Sequence, residues 1–145
     1  MITIIQRVTQ AQVCIADQQV GKIERGIMAL VAIEKQDSEK SAQRLFERIL
    51  NYRIFPDTEN RMNLNLKSIQ GGLLLVPQFT LAADTNSGNR PSFTPAASPE
   101  KGEELFNYFV SHAKNNYSYI ETGQFGADMQ VSLTNDGPVT FTLKV

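Results

Sequence analysis

Hydrophobic and polar positions alternate along both ends of this chain, and between those ends a helical period recurs twice. Residues 2–15, rich in Ile, Val and Thr, predict one long strand. The adjacent Ile4 and Ile5 break strict alternation and predict a bulge there. Asp17-Gln18-Gln19 reads as a turn and Val20-Gly21-Lys22-Ile23 as a short exposed strand. Residues 27–33 are apolar without interruption, the mark of a strand buried on both faces. Asp37 or Ser38 then caps a helix in which Ala42, Leu45, Phe46, Ile49 and Leu50 fall at i, i+3, i+4, i+7 and i+8. Glu39, Lys40, Arg44, Glu47 and Arg48 lie largely away from that stripe, as a solvated face. Residues 56–60 form a polar turn and residues 63–66 a short strand, before Gly71-Gly72 opens a second buried strand over residues 73–76.

Residues 82–97, with Asn86, Ser87, Gly88, Asn89 and two prolines, predict the longest loop. Ser98 caps a second helix with Pro99 at its first position, and Leu105, Phe106, Phe109, Val110 and Ala113 make its buried stripe. Thr122-Gly123-Gln124-Phe125 leads into the closing segment. There Met129, Val131 and Leu133 alternate with polar residues, and so do Val139, Phe141, Leu143 and Val145. Asn135-Asp136-Gly137-Pro138 between them has the composition of a chain reversal, so the end is expected to be a hairpin. Pro138 offers no N–H and belongs at an edge, a strand start or a site of unusual geometry. Strand-rich ends around two amphipathic helices predict an α+β fold: a curved or barrel-like, mainly antiparallel sheet carrying both helices, in one domain over residues 1–145.

Composition narrows the chemistry. The chain has 145 residues, 41% hydrophobic and 20% charged, as in soluble globular proteins. It has no apolar run near the roughly 18 residues of a membrane span, and its first residues are strand-like, with no basic region and cleavable apolar core. A cytoplasmic protein without a membrane partner is expected. The single cysteine, Cys14, excludes an intrachain disulfide. A net charge of −1 and a pI near 5.8 speak against a wide cationic face for nonspecific nucleic-acid binding, leaving room only for a small local patch; no DNA partner is expected. A catalytic zinc takes about three protein ligands, and one His and one Cys make neither a metal nor a cofactor expected. His112, one turn after Tyr108 on the second helix, reads as a surface or boundary residue, and any triad would depend on it alone. No G-x-S-x-G, P-loop or G-x-G-x-x-G sequence is present.

One stretch does carry chemistry. In Val76-Pro77-Gln78-Phe79-Thr80-Leu81 a buried strand turns polar at a proline. Thr80 is the nearest candidate nucleophile, with Gln78 on the same side of an extended chain. It reads equally as a β-branched strand residue, because an unassisted hydroxyl needs a base and none lies beside it. Gln78-Phe79-Thr80-Leu81 resembles the Ser-Gln-x-x-Leu signature of D-aminoacyl-tRNA deacylases, and Asn135 to Thr140 matches their Asn-x-Gly-Pro-Val-Thr signature. Arg90-Pro91-Ser92-Phe93, Ala97-Ser98-Pro99 and residues 127–133 also resemble bacterial members, and the likeness runs from Ile5-Gln6-Arg7-Val8 to Val145. The chain departs at one point: the signature's serine is Pro77.

The resemblance implies a homodimer that cleaves D-amino acids, and glycine, from tRNA. It implies catalysis by groups around Gln78 and Thr80, with Phe79 on the terminal adenosine and Gly102 beside it. Phe125 and Met129 would lie near the aminoacyl group, and both also fit as core residues. Arg7 is either a surface pairing residue or a neighbour of the site. Gly137-Pro138 is expected to be cis and to enter the partner's pocket, where rigid backbone carbonyls reject L-amino acids. Mirror-image substrates share size and polarity, so only a fixed obstacle on one hand separates them. An activated ester, aided by the neighbouring 2′-hydroxyl, needs little beyond orientation and oxyanion donors. Two other readings stay open: a dimeric tRNA- or small-molecule-binding module without turnover, which Pro77 favours, and a hydrolase of free D-aminoacyl esters.

Overall fold

The computed structural model describes residues 1–145, and its sheet is organised on β1 (Ile2–Ile15). One edge of β1 pairs antiparallel with β3 (Gly26–Ala32) over its first half and with β2 (Gln18–Ile23) over its second. The β1–β2 hairpin turns on Ala16 and Asp17, both at positive φ (47° and 63°), the geometry that matches the twist of a two-residue hairpin. The loop to β6 carries α1 (Glu39–Asn51), a small antiparallel pair of β4 (Phe55–Pro56) and β5 (Met62–Leu64), and α2 (Leu66–Ile69). β6 (Gly72–Pro77) adds to β3 in parallel, and after α3 (Pro99–Asn116) the short β7 (Ile120–Thr122) adds to β6, again in parallel. β2 curls back toward β7 so closely that a β-carbon on Gly21 would lie 2.8 Å from the Thr122 carbonyl oxygen. The sheet is thereby nearly closed into a barrel, and the α+β expectation holds.

Each side of β3 and β6 meets a different core. Ile27, Ala29, Val31, Leu73 and Leu75 face α1 and α3, while Met28, Leu74 and Val76 join Val8, Ala11, Val13 and Ile23 inside the curl. This two-sided burial is why both strands are apolar without alternation. The helix stripes largely match: Ala42, Leu45, Phe46, Ile49 and Leu50 are buried on α1, and Leu105, Phe106, Phe109 and Ala113 on α3, while Val110 is only half-buried at the edge of its stripe. Ser38 is the N-cap of α1, whereas Asp37 is buried and accepts from the Met1 ammonium and the Glu34 N–H. Ser98 caps α3 by accepting from the Lys101 N–H, with Pro99 following. His112 lies edge-on to Phe46 (ring centroids 5.4 Å apart) and stacked on Tyr108, between the two long helices.

Three expectations are corrected. The chain does not end in a hairpin. β8 (Gln130–Lys144) runs antiparallel along the second edge of β1 for its whole length. Gln6 faces Thr140 and Val8 faces Asn135, so β8 advances five residues while β1 advances two, and the surplus around Asp136-Gly137-Pro138 arches out as a bulge. Nor is there a bulge at Ile4–Ile5, where the register against both β3 and β8 is continuous. Ile5 enters the core and Ile4 is half-buried, since neither face of β1 is fully open there. Residues 63–66 do not form a strand of their own. β5 covers Met62–Leu64, and the Asn65 carboxamide caps α2 by accepting from the Ser68 N–H at 2.9 Å. The sheet is mainly antiparallel, as expected, and β6 and β7 add to it in parallel.

Candidate active site

Because β3 and β6 are parallel, they end on the same side, and a pocket of about 280 Å³ opens just beyond those ends. Pro77, opposite Val31, closes β6 with no N–H for the ladder. The Gln78 N–H makes one last bond to the Val31 carbonyl (2.7 Å), and the chain then tightens into a 3₁₀ turn over Phe79–Ala82. Val31, Ile33 and Pro77 form one wall; Ala97, Ser98, Pro99, Gly102 and Phe106 bring in the start of α3; Phe125 and Gly126 complete the lining, with Gln78 and Phe79 at the turn. None of the twelve lining residues carries a carboxylate, amine, guanidinium, imidazole, thiol or phenol. The one histidine is held between α1 and α3, outside this lining.

Gln78 donates its side-chain N–H to the Thr80 hydroxyl at 2.6 Å. That occupies an acceptor position on Thr80 and leaves its O–H free to donate outward, with no base bonded to it. The Phe79 and Thr80 N–H groups precede the first donor of the turn, whose first internal bond runs from the Leu81 N–H to the Gln78 carbonyl (3.2 Å). This arrangement can orient a substrate and stabilise negative charge on oxygen. It cannot create a strong nucleophile from a side chain.

Phe79 is 56% exposed, against a core reading. Phe79→Ala is therefore expected to weaken binding of a stacked nucleobase by roughly 1–3 kcal/mol while leaving the melting temperature near wild type. A large fall in melting temperature on thermal denaturation would instead mark a packing role. Gly102 is buried, and a β-carbon there would stand 3.1 Å from the Phe125 ring. Met129 is not in the lining. It packs against the inner core, its sulfur takes the Gln124 N–H (3.4 Å), and it backs Gly123 from behind.

Gly137 and Pro138 lie outside this pocket. Their peptide bond is cis, both residues are exposed, and Gly137 has φ 149°. The bulge that carries them faces Arg7, which is opposite Ile27, four residues before Val31 on β3 and so roughly 13 Å along the strand from the pocket. Arg7 has a structural role that the sequence left undecided. Its guanidinium donates to the Asp136 carbonyl (2.9 Å) and the Ile54 carbonyl (2.8 Å), and it pairs with the Asp136 carboxylate (3.2 Å). The Asn135 side chain donates to the Arg7 and Val139 carbonyls (2.9 and 3.0 Å), closing the base of the arch. Sequence reasoning took Asn135 and Asp136 for turn formers and missed this clamp, as it missed Ile33, Ser98 and Phe106 in the pocket wall. Their local signals, an apolar run at Ile33, a helix cap at Ser98 and a buried stripe at Phe106, point to folding and not to a pocket.

The family model of D-Tyr-tRNA(Tyr) deacylase matches residues 4–144. The chain belongs to this deacylase family. The D-aminoacyl-tRNA deacylase of Pseudoalteromonas atlantica is 55% identical over 145 residues, covering all of both chains. That of Methylococcus capsulatus is 60% identical over 144 residues, covering 99% of this chain and 94% of its own. Among solved structures, one titled "c-Myc DNA Unwinding Element Binding Protein" superposes with a TM-score of 0.95 at 36% identity, covering 100% of this chain and 99% of the other. A probable eukaryotic D-amino acid tRNA deacylase shares the fold (TM-score 0.86, 17% identity, 99% and 98% coverage). Within the deacylase family, then, this member presents a pocket free of ionisable groups and a clamped arch displaced from it. No helix of it is long and apolar enough to cross a membrane.

Proposed function

We propose that this chain is an editing hydrolase that cleaves the ester between a D-amino acid and the 3′ end of tRNA, in the cytoplasm, as a homodimer. The observation that carries this reading is the pocket without an acid, base or thiol, opening on a turn whose first N–H groups are free of internal acceptors. Such a site suits a substrate that brings its own activation. An aminoacyl ester is a reactive acyl donor, and the adjacent 2′-hydroxyl can position or activate water. The Phe79 and Thr80 N–H groups meet the developing oxyanion. The Gln78–Thr80 pair orients the ester, Phe79 stacks on the terminal adenosine, and Gly102 leaves the room that this adenosine needs. Phe125 bounds the aminoacyl group, and Met129 packs behind Gly123 and Gln124, the residues that lead to it. The Gly137-Pro138 arch of a second copy supplies the rigid obstacle that rejects L-amino acids and lets glycine pass. With a net charge of −1 the chain has little with which to grip a long duplex, so the partner is a single tRNA end and not DNA.

Deacylation of D-Tyr-tRNA, L-Tyr-tRNA and a small D-tyrosyl ester, measured side by side, tests this. Rapid loss of D-Tyr from tRNA with L-Tyr retained is expected. Binding of tRNA without turnover, or equal turnover of the small ester, would overturn it. Activity is expected to survive exhaustive chelation, and restoration by zinc alone would sink the metal-free scheme. Pro77→Ser is expected to change the rate by less than about tenfold, roughly 1.4 kcal/mol, if the residue shapes the strand end and takes no part in the chemistry. A much larger gain would make this a weakened enzyme.

A further inference from the structure

We propose that Phe93 is a second stacking residue, which seats the nucleoside preceding the terminal adenosine of the tRNA. The proposal rests on the reading of the pocket as the seat of the aminoacyl-adenosine. Phe79 and Phe93 are both exposed, at 56% and 41%, and they lie against each other with ring centroids 5.1 Å apart and planes tilted by 59°. The other six phenylalanines of the chain are buried or half-buried.

This exposure is built into a pinned backbone. Asp84 and Ser92 exchange backbone hydrogen bonds (2.7 and 3.0 Å), and the Asp84 carboxylate accepts from the Asn86 N–H. The Phe93 carbonyl accepts from the Ala96 N–H (3.0 Å), and the Ala97 N–H reaches back to Ile33 at the pocket wall (3.0 Å). Ala96 itself packs on Ala32 and Ala82. The Phe93 ring is therefore presented outward from the stapled base of the loop.

Phe79 borders the pocket, whereas Phe93 stands outside its lining. The aromatic surface thus continues from the pocket rim at Phe79 onto Phe93, so a polynucleotide leaving over Phe79 would meet a second ring. A single-stranded nucleotide fits this surface because every base has a face that stacks on an aromatic side chain, whatever its identity. With a net charge of −1 the chain has no excess of cations for phosphate neutralisation, and stacking supplies grip on the tRNA end that does not depend on it. The Ser92 and Thr94 hydroxyls, 2.9 Å apart and flanking Phe93 in sequence, add polar partners for the sugar.

The test compares D-Tyr-tRNA with the 3′-D-tyrosyl ester of adenosine, which lacks the preceding nucleoside. Phe93→Ala is expected to raise KM for D-Tyr-tRNA about tenfold with kcat retained, and to leave KM for the adenosine ester within about twofold. Phe93→Tyr is expected to restore tRNA binding. An equal change with both substrates, or none with tRNA, would overturn the proposal. So would a change in oligomeric state on sedimentation, which would assign the ring to a subunit contact. A wild-type chain inert toward both substrates would overturn the deacylase reading itself, and this proposal with it.

Discussion

Gly102→Phe is expected to lower kcat/KM for D-aminoacyl-tRNA by at least about a hundredfold, close to 3 kcal/mol of transition-state binding. The protein should stay folded. Gly102 sits in the first turn of α3, where its N–H bonds the Ser98 carbonyl at 2.8 Å. It is the position at which the helix backbone itself forms the pocket wall. A β-carbon there would come within 3.1 Å of the Phe125 ring, and a benzyl group beyond it would occupy the space of about 280 Å³ proposed for the substrate. Gly102→Ala separates the two effects. It gains about 0.5–1 kcal/mol of helix preference, offset by the contact with a half-buried ring that can yield by a few tenths of an ångström, so it should be nearly neutral in stability and mild in activity. Circular dichroism and single-turnover deacylation would check both variants. Full activity in Gly102→Phe would move the substrate out of this pocket.

Removing Arg7 should act on selectivity through a different element. Arg7→Ala leaves the Asp136 and Ile54 carbonyls without their guanidinium donors, each such bond to a charged group contributing about 1.5–3 kcal/mol. The ion pair with Asp136 adds little, because that carboxylate is 40% exposed. A loss of about 3 kcal/mol is expected, seen as a midpoint lowered by roughly 10 °C. The more telling readout is the ratio of D-Tyr-tRNA to L-Tyr-tRNA deacylation, expected to fall at least about tenfold as the arch loses its fixed position. Asp136→Asn keeps the backbone carbonyl that Arg7 grips, so it should preserve the ratio. If Arg7→Ala loses stability yet discriminates as well as wild type, the Gly137-Pro138 arch is not the filter.

Much of the scaffold is local information. The unbroken apolar runs that became β3 and β6, the two helix stripes, and the Ser98-Pro99 start of α3 were each legible because burial on two faces, burial on one stripe and helix capping leave distinct periods and residue types. So was the polar break at Pro77 to Thr80, since a proline and an amide are out of place in a buried strand. What depended on partners was not legible. Alternation on either side of Asn135–Pro138 is the same whether the chain reverses or bulges, because a period of two has no direction; only the pairing of both halves of β8 with β1 decides it. β7 is three residues long, too short to carry a period, and is a strand only because β6 offers it an edge. Residues 31–33, 77–79, 97–106 and 125–126 contribute to one pocket because parallel strands end together under the start of a helix, and that meeting is written in no single stretch of the chain. Arg7 is the plainest case: among strand residues it looks like any exposed cation, and its role as a clamp exists only once folding brings the carbonyls of Ile54 and Asp136 within 3 Å of its guanidinium.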